Sequence, residues 1–231
     1  MRLAIMQPYF LPYLGYFQLI HSVDTFVIYD DVNYIKGGWI NRNRILGNQG
    51  GSELITLETL GASPNRLINE VKVGGNRQKL LKTITQRYSR APQFDQVYPL
   101  LSQILAVDES SLTRFLFLQL QIICKYLGIE PTWKLSSEIS KDSSLKGQDK
   151  VIAICRALGA STYINAIGGR NLYCREAFDE QQMELSFIES KASDYIQFSD
   201  DFVPFLSIVD VLMFNDIEAC KSLLREYSLV E

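Results

Sequence analysis

The sequence predicts an α/β protein: a Rossmann-like, mostly parallel sheet drawn from the N- and C-terminal thirds, with a helical segment between them. Three observations carry this expectation. Residues 26–29, Phe-Val-Ile-Tyr, are a continuous β-branched and aromatic run, as in a strand covered on both faces. The first thirty residues read strand, loop, helix, strand, which is one βαβ unit. Residues 76–128 show helical periodicity without an intervening strand, closed by Gly128 and then Pro131.

Each element follows from local pattern. Residues 3–6 form an apolar strand that stops at Gln7-Pro8, because proline lacks a ladder donor and holds the residue before it extended. Pro12 suits a first helical turn, and Leu14, Phe17, Ile20 and His21 then recur on one side. Residues 53–57 (ELITL) read as a strand, and 67–73 (LINEVKV) alternate like a half-buried one. Helices are expected over 76–90, 99–106 and 112–127. A strand at 132–139, a polar stretch at 142–148 and an amphipathic helix over 149–158 lead into STYINAIGG, a strand followed by a double-glycine loop. A short helix over 175–182, a strand at 183–189, a loop at 194–204 and closing helices over 205–214 and 217–227 complete the chain.

Composition bounds the function. With 231 residues, 47% of them hydrophobic, the chain can bury one sizeable core, or at most two small domains; a single domain over 1–231 is expected, with a helical insertion at about 76–128. Twenty-three basic against 26 acidic residues leave a net charge of −3, so a nucleic-acid partner is not expected. Apolar runs fall far short of the ~20 residues that cross a bilayer. Neither a transmembrane segment nor a signal peptide is read, and the expected location is cytoplasmic. Cys124, Cys155, Cys174 and Cys220 form no CxxC pair and read as buried reduced thiols. His21 is the one histidine, which excludes a multi-histidine metal site; its apolar setting reads as core rather than catalytic base.

Four segments carry candidate chemistry. In QPYFLPYLGY, Gln7 and the ring-bearing Tyr9 and Tyr13 stand where a buried strand hands over to a helix. Ligands of open α/β sheets bind outside such strand ends, and helix N-termini there favour anions. Gly15 leaves room for a ligand or a neighbouring backbone; the alternative is aromatic packing around a proline-rich turn. Asp30 and Asp31 end the second strand, one toward the site and one capping a turn. In KGGWINRNR, Lys36, Trp39, Asn41, Arg42 and Arg44 combine guanidinium forks for phosphate or carboxylate with an indole for stacking. If Trp39 to Arg44 is a strand, Asn41 and Asn43 share one face and Arg42 and Arg44 the other. Finally, Asn165, Gly168, Gly169 and Tyr173 surround a strand-to-loop turn whose paired glycines could fold their N–H groups into an anion nest. Asp210, inside an apolar helix, either caps internal groups or faces the site.

Six ordered blocks resemble the WbqC-like family of bacterial proteins: QPYFLPYLGYFQLI, DTFVIYDDVNYIKGGWINRNRI, QRYSRAPQF, GASTYINAIGG with a following Tyr173, DYIQF and FLSIVDVLMFN. The likeness spans nearly the whole chain. The chain departs from the family pattern in reading LETLG where a proline often follows the third strand, and Asn165-Ala166 where Ser-Gly is frequent. The resemblance implies a role in bacterial surface polysaccharide (O-antigen) biosynthesis, among genes handling amino sugars. The first strand, proline-containing loop and helix are also similar to the HUP-type nucleotide-binding halves of adenylate-forming enzymes, but the histidine-glycine-histidine signature of those halves is missing.

The expectation is therefore an enzyme acting on a nucleotide-linked amino sugar by acyl or aminoacyl transfer to the sugar amine. Arg42, Arg44 and the Gly168-Gly169 loop would hold phosphate or carboxylate, and Trp39 or Tyr13 would stack on a ring. Asp30 or Asp31 would orient or deprotonate the amine, and Gln7 would fix a carbonyl. The alternatives are an adenylate-forming ligase of the HUP type and a non-catalytic ligand-binding or assembly protein. The expected partner is a small molecule, a nucleotide-sugar or acyl donor. The sequence names no cofactor and no metal, and leaves the oligomeric state open.

Overall fold

The computed structural model describes residues 1–48, 50–191 and 193–231. Its elements run β1 (Arg2–Met6), α1 (Leu14–His21), β2 (Thr25–Ile28), β3 (Arg42–Leu46), β4 (Ser52–Thr56), β5 (Thr59–Leu60), β6 (Lys72–Val73), α2 (Arg77–Tyr88), α3 (Phe94–Ala106), α4 (Leu112–Leu127), β7 (Thr132–Leu135), α5 (Gly147–Ala157), β8 (Thr162–Ala166), α6 (Arg175–Asp179), β9 (Glu184–Ser190), α7 (Ile208–Phe214), α8 (Ile217–Leu223) and β10 (Tyr227–Val230).

A six-stranded sheet in the order β10-β9-β8-β1-β2-β7 organises the fold. All neighbours are parallel except β10, which runs antiparallel to β9. This is the Rossmann-like α/β architecture the sequence predicts. Chain order leaves β1 toward β2 on one side and returns to β8 on the other, so the sheet has its topological switch point between β1 and β8.

Strand alternation divides the core. Ala4, Phe26, Ile28, Ile164 and Ile188 face α1, the α2–α4 helices and α7–α8. Leu3, Ile5, Val27, Tyr163, Leu185 and Phe187 face α5 and Phe178 of α6. Every residue of β2 is buried, as its unbroken apolar run requires. Among the described residues, no helix is long and apolar enough to cross a membrane.

Several local expectations are corrected. The 67–73 segment is a 3-10 turn at Ile68–Glu70 followed by the two-residue β6. Two of its N–H groups go to the loop after β2, with Ile68 donating to the Val32 carbonyl (2.9 Å) and Asn69 to that of Asp30 (3.0 Å). The strand expected at 132–139 ends at Leu135 and turns into a 3-10 helix. Helix α3 begins at Phe94 and carries Pro99 inside it. Closing helix α7 begins only at Ile208, and residues beyond α8 form the edge strand β10 instead of continuing as helix. Cysteines 124, 155 and 220 are buried free thiols, but Cys174 is exposed, its thiol donating to Glu176 (2.8 Å).

Candidate functional site

The predicted residues fall into two groups. The first lies along the rim formed by the carboxyl ends of the parallel strands. Tyr29 N–H donates to the Met6 carbonyl at 2.9 Å, holding the ends of β1 and β2 side by side. Beyond β2, Asp30 is buried, and its carboxylate accepts both the backbone N–H (2.9 Å) and the hydroxyl (2.7 Å) of Ser137. Asp31 pairs with Lys141 at 2.9 Å and Lys150 at 3.0 Å and accepts the Ser136 hydroxyl at 2.6 Å. Lys150 also donates to the Asp31 carbonyl (2.6 Å) and lies 5.4 Å from the centre of the Tyr29 ring, while Lys141 donates to the Ser136 and Ile139 carbonyls.

Burial pushes the Asp30 carboxyl up against the pull of its Ser137 bonds. Burial pushes Asp31 up too, but the Ser136 hydroxyl and the two ammonium groups outweigh it and hold that carboxyl below its ordinary value. A depressed folded-state value means that Asp31 stabilises the fold above its ordinary pKa of about 3.9, and that this contribution is lost as pH falls through the folded-state value. Asp31→Asn is therefore expected to flatten the acid limb of the stability profile and to cost about 2–4 kcal/mol at neutral pH by leaving two lysines short of a partner. Urea unfolding at a series of pH values measures both; an acid limb as steep as that of the parent protein would contradict the assignment.

At the end of β8, the buried Asn165 amide donates to the hydroxyls of Tyr163 (3.1 Å) and Tyr173 (2.9 Å), which are 3.0 Å apart. The anion nest expected at Gly168 and Gly169 is not formed. Both glycines lie in a 3-10 helix, and neither has the positive φ that a nest needs. Gly169 instead makes room for Asn165, whose Nδ2 would stand 3.2 Å from an added Cβ. The half-buried Gln7 is placed at this rim by its carbonyl, which accepts the Tyr16 hydroxyl at 2.8 Å.

The second group lies on the α1 side and forms a cleft. Its foundation is the loop that follows β1. Leu11, a non-glycine residue, is held at φ +43°. The bonds that fix it are numerous. Leu11 N–H donates to Gln119 Oε1 (3.0 Å), and Gln119 Nε2 donates to the Tyr9 carbonyl (2.7 Å). Asn43 Nδ2 donates to the carbonyls of Phe10 (3.2 Å) and Leu11 (2.8 Å), and the Ser207 hydroxyl donates to Leu11 as well (2.7 Å). A left-handed leucine persists only where its surroundings over-determine it, and such positions concentrate at functional sites.

On this foundation, Tyr9, Tyr13, Trp39, Asn43, Arg44 and Phe205 line a cleft of about 210 Å³. A second cleft of about 230 Å³ adjoins it, sharing the Tyr13 and Phe205 walls and reaching Ser190, Asp194, Tyr195 and Phe202. Phe205 is also left-handed, at φ +57°, and 71% exposed. Gly15 fills a different role from the one expected. An added Cβ would lie 2.5 Å from the Tyr13 ring, so the missing side chain makes room for that tyrosine.

The strand expected at 39–44 begins only at Arg42, but the two-residue alternation holds from Asn41 to Arg44. Asn41 and Asn43 are buried, while Arg42 and Arg44 face outward. The asparagines serve the backbone: Asn41 accepts the Tyr34 hydroxyl (2.7 Å) and donates to the Leu57 carbonyl (2.8 Å). The guanidinium carbons of Arg42 and Arg44 lie 5.9 and 5.5 Å from the Trp39 ring centre. Arg42 Nε donates to the Gly38 carbonyl (3.0 Å), whereas Arg44 Nε is buried without a hydrogen-bond partner among the described residues. Ion pairs among the described residues involve Arg2, Arg87, Lys141, Lys150, Lys191 and Lys221, leaving both arginines of β3 without a carboxylate. Lys36 is exposed on the turn before Trp39.

Sequence reading missed Lys141, Lys150, Asp194 and Phe205. Their patterns are those of ordinary surface or core positions, and only the fold brings them to the rim or the cleft. Among the described residues, no group of three or more His, Cys, Asp or Glu side chains is placed to hold a metal ion.

Comparison with known proteins places this geometry in a family. No solved structure matches the chain. A protein of Mycobacterium tuberculosis (strain ATCC 25618 / H37Rv), described as "Uncharacterized protein Rv1507c", is 29% identical over 221 residues, which cover 93% of each chain. Residues 7–222 match the WbqC-like protein family, a span that contains the rim, the loop after β1 and both clefts, and the chain accordingly belongs to that family.

Proposed function

We propose that this protein is an enzyme of bacterial surface polysaccharide (O-antigen) biosynthesis that acts on a nucleotide-linked amino sugar. One observation carries the reading: an aromatic-walled cleft holds Arg44, a guanidinium with a desolvated Nε and, among the described residues, no counter-charge. Tyr9, Tyr13 and Trp39 offer faces for a base or the apolar side of a sugar ring. Unpaired guanidinium forks suit phosphate oxygens, and Arg42 extends the same positive surface across Trp39.

The reaction this reading assigns is acyl or aminoacyl transfer to the sugar amine. The amine, once it has lost its ammonium proton to solvent, attacks the carbonyl of an activated donor such as a thioester. A C–N bond forms, the C–S bond breaks, and the departing thiolate takes the proton that nitrogen loses. Such a step needs no protein nucleophile. It also frees Asp30 and Asp31 from the role of base, which suits their engagement by Ser137 and by the two lysines.

Calorimetric titration with UDP- and dTDP-linked amino sugars tests the proposal. Binding is expected, and Arg44→Ala should weaken it about tenfold or more, as loss of a charge-assisted phosphate contact implies. Absence of binding to every sugar nucleotide would overturn the reading. A second reading, ligand binding without turnover, is favoured by the same full engagement of both rim carboxylates. Incubation with thioester donors separates the two by whether amide product forms.

A further inference from the structure

We infer that the two adjoining clefts form one channel for a single ligand with an anionic group at one end and a protonated amine at the other, the anion at Arg44 and the amine at Asp194. This rests on the nucleotide-linked amino sugar reading and adds to it the direction in which the ligand lies and the residue that recognises its amine.

Size supports one channel. Ligand pockets commonly occupy ~300–1,000 Å³. At about 210 and 230 Å³, each cleft alone falls short, and joined they fall within that range. Both have Tyr13 and Phe205 as walls, so these two aromatic residues stand where the clefts meet. The junction is held in place. Ser207 N–H donates to the Arg44 carbonyl (2.8 Å) and Ile208 N–H to that of Pro12 (2.8 Å), which ties the segment after Phe205 both to β3 and to the loop before α1.

Charge gives the direction. Arg44 is the charged side chain lining the first cleft, and Asp194 the charged side chain lining the second. Neither has an ion-pair partner among the described residues. The other polar groups near Asp194 are committed elsewhere: Ser193 donates to Glu226 (2.9 Å) and Tyr195 to Asp210 (2.6 Å). An ammonium group beside Asp194 would also meet the rings of Tyr195 and Phe202, which stand edge to face at 5.0 Å and supply cation–π attraction. Opposite charges at the two ends favour a ligand whose own charges are separated in the same sense and disfavour its reversal.

The test is calorimetry with UDP, UDP-glucosamine and UDP-N-acetylglucosamine on the parent protein, Arg44→Ala and Asp194→Asn. Asp194 is exposed, and thermal unfolding confirms that its variant is folded. The parent should bind the free amine about fivefold more tightly than the acylated sugar. Asp194→Asn should abolish that preference while leaving UDP affinity unchanged. Arg44→Ala should weaken all three ligands alike. If all three bind but Asp194→Asn leaves the amine preference unchanged, the channel polarity is wrong and the proposed function stands. If none binds, the function is wrong and the channel assignment falls with it.

Discussion

Asp210→Ala is expected to destabilise the protein by about 3–5 kcal/mol. The carboxylate is fully buried and accepts three side-chain hydrogen bonds: from Tyr88 (2.9 Å), Tyr195 (2.6 Å) and Gln197 Nε2 (2.7 Å). Tyr88 in turn accepts the Leu46 N–H (3.0 Å), and Gln197 Oε1 accepts that of Val203 (2.8 Å). One side chain thereby joins α2, β3, α7 and the segment that carries Phe205. Removing it takes the acceptor from three donors, of which Tyr88 and Gln197 are buried and Tyr195 is half-buried at the cleft wall. Asp210→Asn separates the hydrogen-bond effect from lost volume. It keeps the shape but presents an NH₂ group to a site that needs acceptors, so it should cost nearly as much. Urea unfolding followed by circular dichroism reads both, and a loss under about 1 kcal/mol for either would refute the role assigned to this carboxylate.

Asn43→Ala should cost about 2–4 kcal/mol and also impair the cleft. Its amide satisfies the Phe10 and Leu11 carbonyls, and its Oδ1 accepts the Arg44 N–H at 2.8 Å. Without these bonds, the left-handed Leu11 loses one of its restraints, and Tyr9 and Tyr13 on either side lose their fixed positions. Affinity for a sugar nucleotide should therefore fall together with stability. Paired denaturation and titration measurements check this; a variant that loses stability yet binds as tightly as the parent would show that the cleft does not depend on the loop.

Much of the frame is legible because it rests on short-range pattern. The buried run of β2 and the proline that ends β1 identify the first βαβ unit without reference to the rest of the chain. The alternation Asn41, Arg42, Asn43, Arg44 gives the two faces of β3 correctly, since period-two geometry is independent of which strand pairs with it. What sequence cannot give is the partner. LINEVKV alternates like a strand, but its ladder with β5 is confined to Lys72 and Val73, while Ile68 and Asn69 donate to the loop after β2. Gly168-Gly169 could have formed a nest; a 3-10 turn around Asn165 prevails instead. Asp30 and Asp31 are visible as acidic residues at a strand end. Lys141 and Lys150, which neutralise the second of them, come from more than a hundred residues away, and no local signal marks them. Asp210 is the instructive intermediate case: a carboxylate in an apolar helix announces that donors must exist, and the fold names them.

The position of β1 has a consequence for biosynthesis. Strand β1 occupies the middle of the sheet, with Leu3 beside Thr25 on one flank and Tyr163 on the other, and it is made before either neighbour. At translation rates of about 5–20 residues per second, its second flank waits on the order of ten seconds for a neighbour. Throughout that interval the nascent chain displays an apolar, half-satisfied strand, so the burden of chaperone protection falls on β1.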